Sequence, residues 1–510
     1  MKKLLRFFRS RFFLGALCII LEFVQLIAVF VLLYEFVLPI TIMAWIFHFV
    51  VLLYVINKNE IPEFKMPWLI IFFLLPVLGS FVFMLLSTTS TSKKEYLRAQ
   101  KAEDEMKPFV KQSDQIEILK ETDEDAWLQA NYLYTQIGMP CCGNTSTVYY
   151  PLGEDFHAAL LEELKKAEKF IFMEYFIVQK GAMWDPIYDI LKEKAAMGVE
   201  VYFLYDDFGC FATLPWHYHK LLNDEGIHCG ISNKFSPVLS RIHNNRDHRK
   251  ITVIDGKVGF TGGVNLADEY INVIEKFGHW KDTAVKLEGE AVRNLMVIFL
   301  TNWNTQSKKD TVDFGKYMNE PVCRAEDNGI VIPFGSGPDP IYKDNVGKNV
   351  YLNMIHSAKR YLYITTPYLI CDRELLNALC LAAQKGVDVR IITPHIPDKR
   401  TVFWMTRSNY QVLLNAGVRI FEYTPGFIHA KNFVCDDKFA VCGTLNLDYR
   451  SLVHHFECGA WMYETDCIPD MKEDFLNTMA SSEEIINGRK IMRFWQRFIA
   501  EVLKVFSPMF

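Results

Sequence analysis

One pattern occurs twice in this chain and limits its fold more than any other feature: His, Lys two residues later, Asp five after that, then Gly-x-x-Asn. The first copy is His248, Lys250, Asp255, Gly262 and Asn265 in HRKITVIDGKVGFTGGVN. The second is His429, Lys431, Asp436, Gly443 and Asn446 in HAKNFVCDDKFAVCGTLN, with every interval preserved. Residues two apart in an extended strand share a face, so His-x-Lys sets an imidazole beside an ammonium. ITVIDG and NFVCDD run apolar up to an Asp-Gly or Asp-Asp turn, and VGFTGG and AVCGTL resume beyond it, which predicts two hairpins.

The flanking sequence repeats as well. AEKFIFMEYFI (167–177) matches AKRYLYITTPYLI (358–370), AAMGVEVYFLYDD (195–207) matches AAQKGVDVRIITPH (382–395), and LLNDEGIHC (221–229) matches LLNAGVRIF (413–421). Each half reads strand, helix, strand, helix, strand, hairpin, with a Gly closing each helix. That order predicts an α/β fold of two similar halves, each a mixed sheet flanked by helices. The Gly- and Pro-rich IPFGSGPDP (332–340) stands where the second half should begin.

The duplicated residues suit a phosphodiester. One imidazole attacks phosphorus and the other protonates the departing alkoxide, which divides a hard displacement into two easier ones. Lys250 and Lys431, with Asn265 and Asn446 as phosphate-binding side chains, supply charge and N–H donors where the phosphoryl oxygens gather charge. No His/Cys/Asp cluster has zinc spacing and the lysine pair already provides the positive charge, so neither metal nor cofactor is expected. Asp282, in HWKDTAV after Trp280, and Glu457, in HHFECG, are candidates to accept an imidazole Nδ1 proton and fix the tautomer. Glu174, ending the apolar run FIFMEYF, has only Thr365 or Thr366 opposite it in the second half, so its role stays open. Which His attacks is not set by two near-equivalent motifs; His248 as nucleophile and His429 as acid is the working assignment.

These motifs resemble the phospholipase D superfamily, whose two HKD motifs build one active site between two similar halves. NNRDHRKI, GGVNLADEY, HWKDTAVKLEGEAV and GTLNLDYRSLVHHFE narrow the resemblance to bacterial cardiolipin synthases of the phospholipase D type. The resemblance implies that His248, Lys250, Asp255, His429, Lys431 and Asp436 form the active site. It also implies a transfer in which one phosphatidylglycerol loses glycerol and a second takes the phosphatidyl group. A phospholipase D hydrolase or a phosphatidylserine synthase would share both motifs. A membrane scaffold with a vestigial site would carry a broken motif, and neither copy is broken.

The N-terminal composition is different. Apolar runs at 12–34, 36–57 and 68–86 approach the roughly 20 helical residues that cross a bilayer. The first carries Glu22 and Gln25, so it either spans or lies in the interface, whereas the other two read as a transmembrane hairpin. The expected layout is a basic tail and first segment (1–34), the hairpin (35–90), a charged linker along the membrane (91–130) and two halves (131–325 and 326–510). The basic MKKLLRFFRSR and twelve cysteines without a disulfide framework favour a multi-pass protein of the cell membrane whose catalytic part faces the cytoplasm. A net charge of −5 argues against a nucleic-acid partner. The run IMRFWQRFIAEVLKVFSPMF has apolar residues at helical spacing with cations between them, as an amphipathic helix at lipid headgroups or a core-packed helix would.

Overall fold

Both motif hairpins form as their residues demand. Ile251–Ile254 and Val258–Gly262 pair antiparallel around Asp255 and Gly256, with φ of 52° and 65°. Asn432–Cys435 and Phe439–Gly443 pair around Asp436 and Asp437, with φ of 57° and 61°. Two central residues of positive φ give the turn whose twist matches that of the strands, and Asp and Gly tolerate it best. The computed structural model describes residues 17, 19–25, 34–86, 93–234, 245–307, 310–320, 324–325 and 329–509. They belong to two units, one of 1–90, 235–244 and 501–510 and the other of 91–234 and 245–500.

In the larger unit the duplication extends to whole sheets. The first runs, edge to edge, Thr145–Tyr150, Ala284–Gly289, Val258–Gly262, Ile251–Ile254, Phe170–Tyr175, Glu200–Asp206 and His228–Ser232. The second repeats that order as Ile330–Ser336, Glu457–Tyr463, Phe439–Gly443, Asn432–Cys435, Tyr361–Thr365, Asp388–Pro394 and Arg419–Tyr423, then adds Ser482–Ile485. In each, the last three shared strands pair in parallel and the others antiparallel, so both sheets are mixed. The residues IPFGS are the end of the strand Ile330–Ser336, and the chain breaks only after them.

Both faces of the first sheet are buried, as its continuous apolar strands require. Ile171, Met173 and Phe203 point into one core, with Leu160 and Ile187 from the helices Gly153–Lys165 and Trp184–Ala196. Phe172 and Leu204 point into the other, which also takes Phe334, Val441 and Trp461 of the second sheet. Helix Val292–Gln306 is buried along most of its length and contributes Leu295, Phe299 and Trp303 to that shared core. The halves are therefore fused through one interior. The helices preceding the second strands end at Gly198 and Gly386, whose φ of 90° and 97° suits glycine alone.

The segment expected to be a linker is packed instead. Helix Lys93–Met106 buries Ala99, Ala102 and Met106 and lies against helix Val292–Gln306. Helix Glu124–Ile137 is capped by Asp123, whose carboxylate accepts the Ala126 N–H at 3.1 Å, and buries Ala126, Ala130 and Leu133.

In the other unit, helix Tyr34–Asn57 is the one helix among the described residues long and apolar enough to cross a membrane; its window Leu38–Asn57 has a mean hydropathy of 2.2. The next apolar run is divided into Pro62–Leu74 and Pro76–Leu86, because Pro76 pushes Leu75 out of the helical region. His48 and Ser80 join the first and last of these helices by a 2.7 Å hydrogen bond, beside an edge-on cluster of Trp68, Phe72 and Phe83. Most of the first run, 12–34, lies outside the described residues.

Candidate active site

Each His-bearing segment docks onto the opposite half. The His248 N–H donates to the Phe456 carbonyl at 2.8 Å, and the His429 N–H donates to the Lys281 carbonyl at 2.7 Å. Asp247 pairs with Phe456, and Gly426–Ile428 runs parallel to His279–Lys281. The residue following each docking position is a carboxylate. As a result the carboxylates are exchanged: His248 Nδ1 donates to Glu457 at 2.9 Å, and His429 Nδ1 donates to Asp282 at 2.6 Å. With Nδ1–H held there, each Nε2 keeps its lone pair and is the free nucleophilic or proton-accepting atom.

All six of these side chains, the lysines included, are buried. Burial pushes His248 down to about 3 and His429 down to about 4, against the pull of their carboxylates, so both rings are neutral near pH 7. Burial also lowers Lys250 to about 7 and Lys431 to about 8. The two motifs share one field, since Lys431 and Asp282 both shift Lys250 and Glu457 shifts Lys431. Burial alone would raise the two carboxylates. His248 and its neighbours nevertheless hold Glu457 well below the usual range, and Lys431 with His429 holds Asp282 below it. Lys250 Nζ donates to the His248 carbonyl at 2.6 Å, and Lys431 Nζ makes the same contact with His429.

The supporting residues differ between the halves. Glu457 also accepts hydrogen bonds from the hydroxyls of Thr444 and Ser451, the latter at 2.6 Å. His455 stands beside it, its Nδ1 3.5 Å from Glu457 and its ring 5.5 Å from that of His248. Asp282 accepts the Thr283 N–H at 2.9 Å. His429 is walled by Tyr270, Trp280 and Phe427, and His248 meets Phe176 edge-on at 5.0 Å. Apart from Trp280, which the sequence already sets beside Asp282, these residues are not apparent from the duplication because they are the positions at which the halves differ.

The structure places the motif aspartates elsewhere. Asp255 accepts the backbone N–H groups of Glu168, Lys169 and Phe170 at 2.7–2.9 Å. Asp436 does the same for Lys359, Arg360 and Tyr361. Each ties the entry of a neighbouring strand to the hairpin turn, about 17 Å along the strand from its lysine at ~3.3 Å per residue. Asn265 accepts the Ile177 N–H and donates to the Tyr270 hydroxyl, whereas the Asn446 amide oxygen is buried without a partner. Glu174 belongs to a separate buried group, 2.8 Å from the Arg249 guanidinium and 3.0 Å from the Asn302 amide nitrogen.

The model of the family described as "Cardiolipin synthase, PLD-like domain" matches residues 160–286 and 351–479, one block in each half. The chain belongs to the cardiolipin synthase family of phospholipase D-type phosphatidyltransferases. It is 35% identical to a cardiolipin synthase of Alkalihalophilus pseudofirmus over 89% of this chain and 90% of that one. It is likewise 35% identical to cardiolipin synthase 2 of Bacillus anthracis over 89% and 88%. A protein of Streptococcus mutans with no described function is 42% identical over 90% and 99%. In fold it is similar to a phosphatidylserine synthase of Haemophilus influenzae, with a TM-score of 0.55 at 14% identity, covering 75% of this chain and 98% of that one.

Proposed function

We propose that this member of the family makes cardiolipin and glycerol from two molecules of phosphatidylglycerol through a phosphohistidine. The observation that carries the reading is the exchanged pair of imidazole–carboxylate contacts, which presents two oriented Nε2 atoms beside two buried lysines. In the first step His248 Nε2 attacks phosphorus, the bond to the terminal glycerol oxygen breaks, and His429, carrying a proton, gives it to that oxygen. In the second step His429 takes the proton of an incoming phosphatidylglycerol hydroxyl, that oxygen attacks phosphorus, and the P–N bond breaks. Burial and the neighbouring lysines lower both rings alike, so His248 as nucleophile and His429 as acid is the assignment that the trapping of labelled phosphatidyl group decides.

An anionic phosphodiester entering between Lys250 and Lys431 raises the proton affinity of all four bases, so the acid becomes charged as substrate binds. Asn446 would use its amide N–H2 to donate to a phosphoryl oxygen; its amide oxygen, buried without a partner, can only accept. Trp280, Phe427 and Phe176 around the rings limit water, which favours an alcohol as second acceptor. We further place the protein in the cell membrane through a multi-pass N-terminal region, with its catalytic unit on the cytoplasmic face. Incubation of the purified protein with phosphatidylglycerol labelled in both glycerols tests the reaction. Cardiolipin and glycerol should appear in equal amounts; phosphatidic acid in their place would make the protein a hydrolase.

A further inference from the structure

The last helix of the chain exposes a face whose chemistry does not suit water. Within Phe494–Phe506, Phe494 is 78% exposed and Phe498 64%, and Ile486, in the approach to the helix, is 88% exposed. Trp495 is half-exposed and stands edge-on to Trp404 of helix Arg400–Asn415, with ring centroids 5.2 Å apart. Positions 494, 495 and 498 fall on one side of a helix, while Ala500, on another side, is fully buried. The helix thus buries its small side and turns its aromatic side outward. Single exposed apolar residues are ordinary, but a contiguous aromatic cluster marks a contact surface.

The charge around this face selects the partner. Between Ile485 and Ala500 the chain carries Arg489, Lys490, Arg493 and Arg497, and the one acidic residue on the exposed aromatic side of the helix is Glu501. The first three are exposed. Aromatic side chains flanked by long cationic ones settle at the level of lipid headgroups, rings in the acyl boundary and charges on phosphate. A protein partner that matched four cations would need an acidic surface with a deep aromatic pocket, whereas an anionic bilayer offers both layers everywhere. We propose that residues 486–498 form a membrane-docking surface for a bilayer rich in anionic phospholipid. The catalytic unit thereby has its own reversible attachment, besides the helix Tyr34–Asn57, and the attachment favours membranes that contain anionic lipid.

The test uses full-length protein reconstituted in vesicles of brominated lipid, either phosphatidylglycerol mixed with phosphatidylcholine or phosphatidylcholine alone. The signal of Trp495 is read as the difference between wild type and Trp495→Phe. Bromine near the glycerol backbone should quench that signal by about half or more in the anionic vesicles, less in the zwitterionic ones, and less again at high salt. The triple variant Arg489→Glu, Lys490→Glu, Arg493→Glu should abolish the difference between the lipids. The double variant Phe494→Glu, Phe498→Glu should lower kcat/KM on anionic vesicles about tenfold and leave turnover of dispersed short-chain phosphatidylglycerol unchanged. Equal quenching in both lipids, no quenching, or crosslinking of Phe494→Cys to a second copy of the chain would overturn the proposal. The fluorescence does not depend on turnover, so quenching by an enzyme that makes no cardiolipin would leave the docking surface standing and remove only the reaction assigned above.

Discussion

Where the first half has Gly263 the second has Thr444, and the two positions hold their carboxylates by opposite means. A Cβ on Gly263 would lie 2.1 Å from Asp282 Oδ1, so the missing side chain is the space that the short carboxylate occupies beside His429. Thr444 fills the corresponding space with a hydroxyl that donates to Glu457, whose extra methylene sets its carboxylate further from the backbone. Ser451 and His455 add polar neighbours to Glu457, whereas His429 is enclosed by aromatic rings. Duplication supplies a symmetric frame. The departures from symmetry give its two imidazoles different surroundings, on which the proposed division into nucleophile and acid can draw.

The strongest way to break the comparison is to remove one imidazole at a time. His248→Ala and His429→Ala should each lower turnover about 10⁴-fold, since each step uses both bases. Labelled phosphatidyl group should accumulate on the His429→Ala protein and not on His248→Ala; the reverse distribution would exchange the roles of the halves. Glu457→Gln and Asp282→Asn should each cost about 10²-fold in kcat, through loss of ring orientation. Gly263→Ala should match Asp282→Asn because its new Cβ displaces that carboxylate, whereas Thr444→Val should lose about tenfold because Ser451 still holds Glu457. Equal losses in Gly263→Ala and Thr444→Val would show that the two supports are equivalent after all.

The lysines sharpen the comparison through pH. Lys250 carries its charge below about 7 and Lys431 below about 8, so kcat/KM should fall as pH rises through that window and the site loses cation after cation. The imidazoles, lowered to about 3 and about 4, contribute no titration of the free enzyme there. Arg stays charged throughout, so in Lys250→Arg and Lys431→Arg the alkaline fall should move upward, whatever the absolute rate. A fall at the same pH in both variants would assign it to another group.

The succession of strands and helices in each half was legible because apolar runs, turn residues and helix-closing glycines recur at matched intervals. The exchange of carboxylates was not. Along the chain Glu457 follows His429 and Asp282 follows His248, and only the docking of Asp247 on Phe456 and of Gly426–Ile428 on His279–Lys281 crosses them. Helix Lys93–Met106 reads as a solvated linker because its contact face is made of Ala99 and Ala102, small residues that add little apolar signal yet let two helices approach closely. Gly-closed helices and hairpins are local features, whereas docking between halves depends on shape that no interval encodes.

The motif aspartates illustrate the same limit, and their replacement should have the smallest effect on catalysis. An interval preserved in both copies looks alike whether it serves chemistry or a turn, so Asp255 and Asp436 are grouped with the imidazoles in the sequence. In the fold each carboxylate gathers three backbone N–H groups at a strand entry. Asn at either position keeps one acceptor oxygen where the carboxylate has two, leaving buried N–H groups unpaired at a cost of about 1–3 kcal/mol. Asp255→Asn and Asp436→Asn should therefore lower Tm by several degrees and keep kcat, per folded molecule, within about twofold of wild type. Circular dichroism melting with active-site titration separates the two quantities. A hundredfold loss of kcat at unchanged Tm would return these residues to the chemistry, and a similar loss in only one variant would extend the asymmetry of the halves to their hairpin turns.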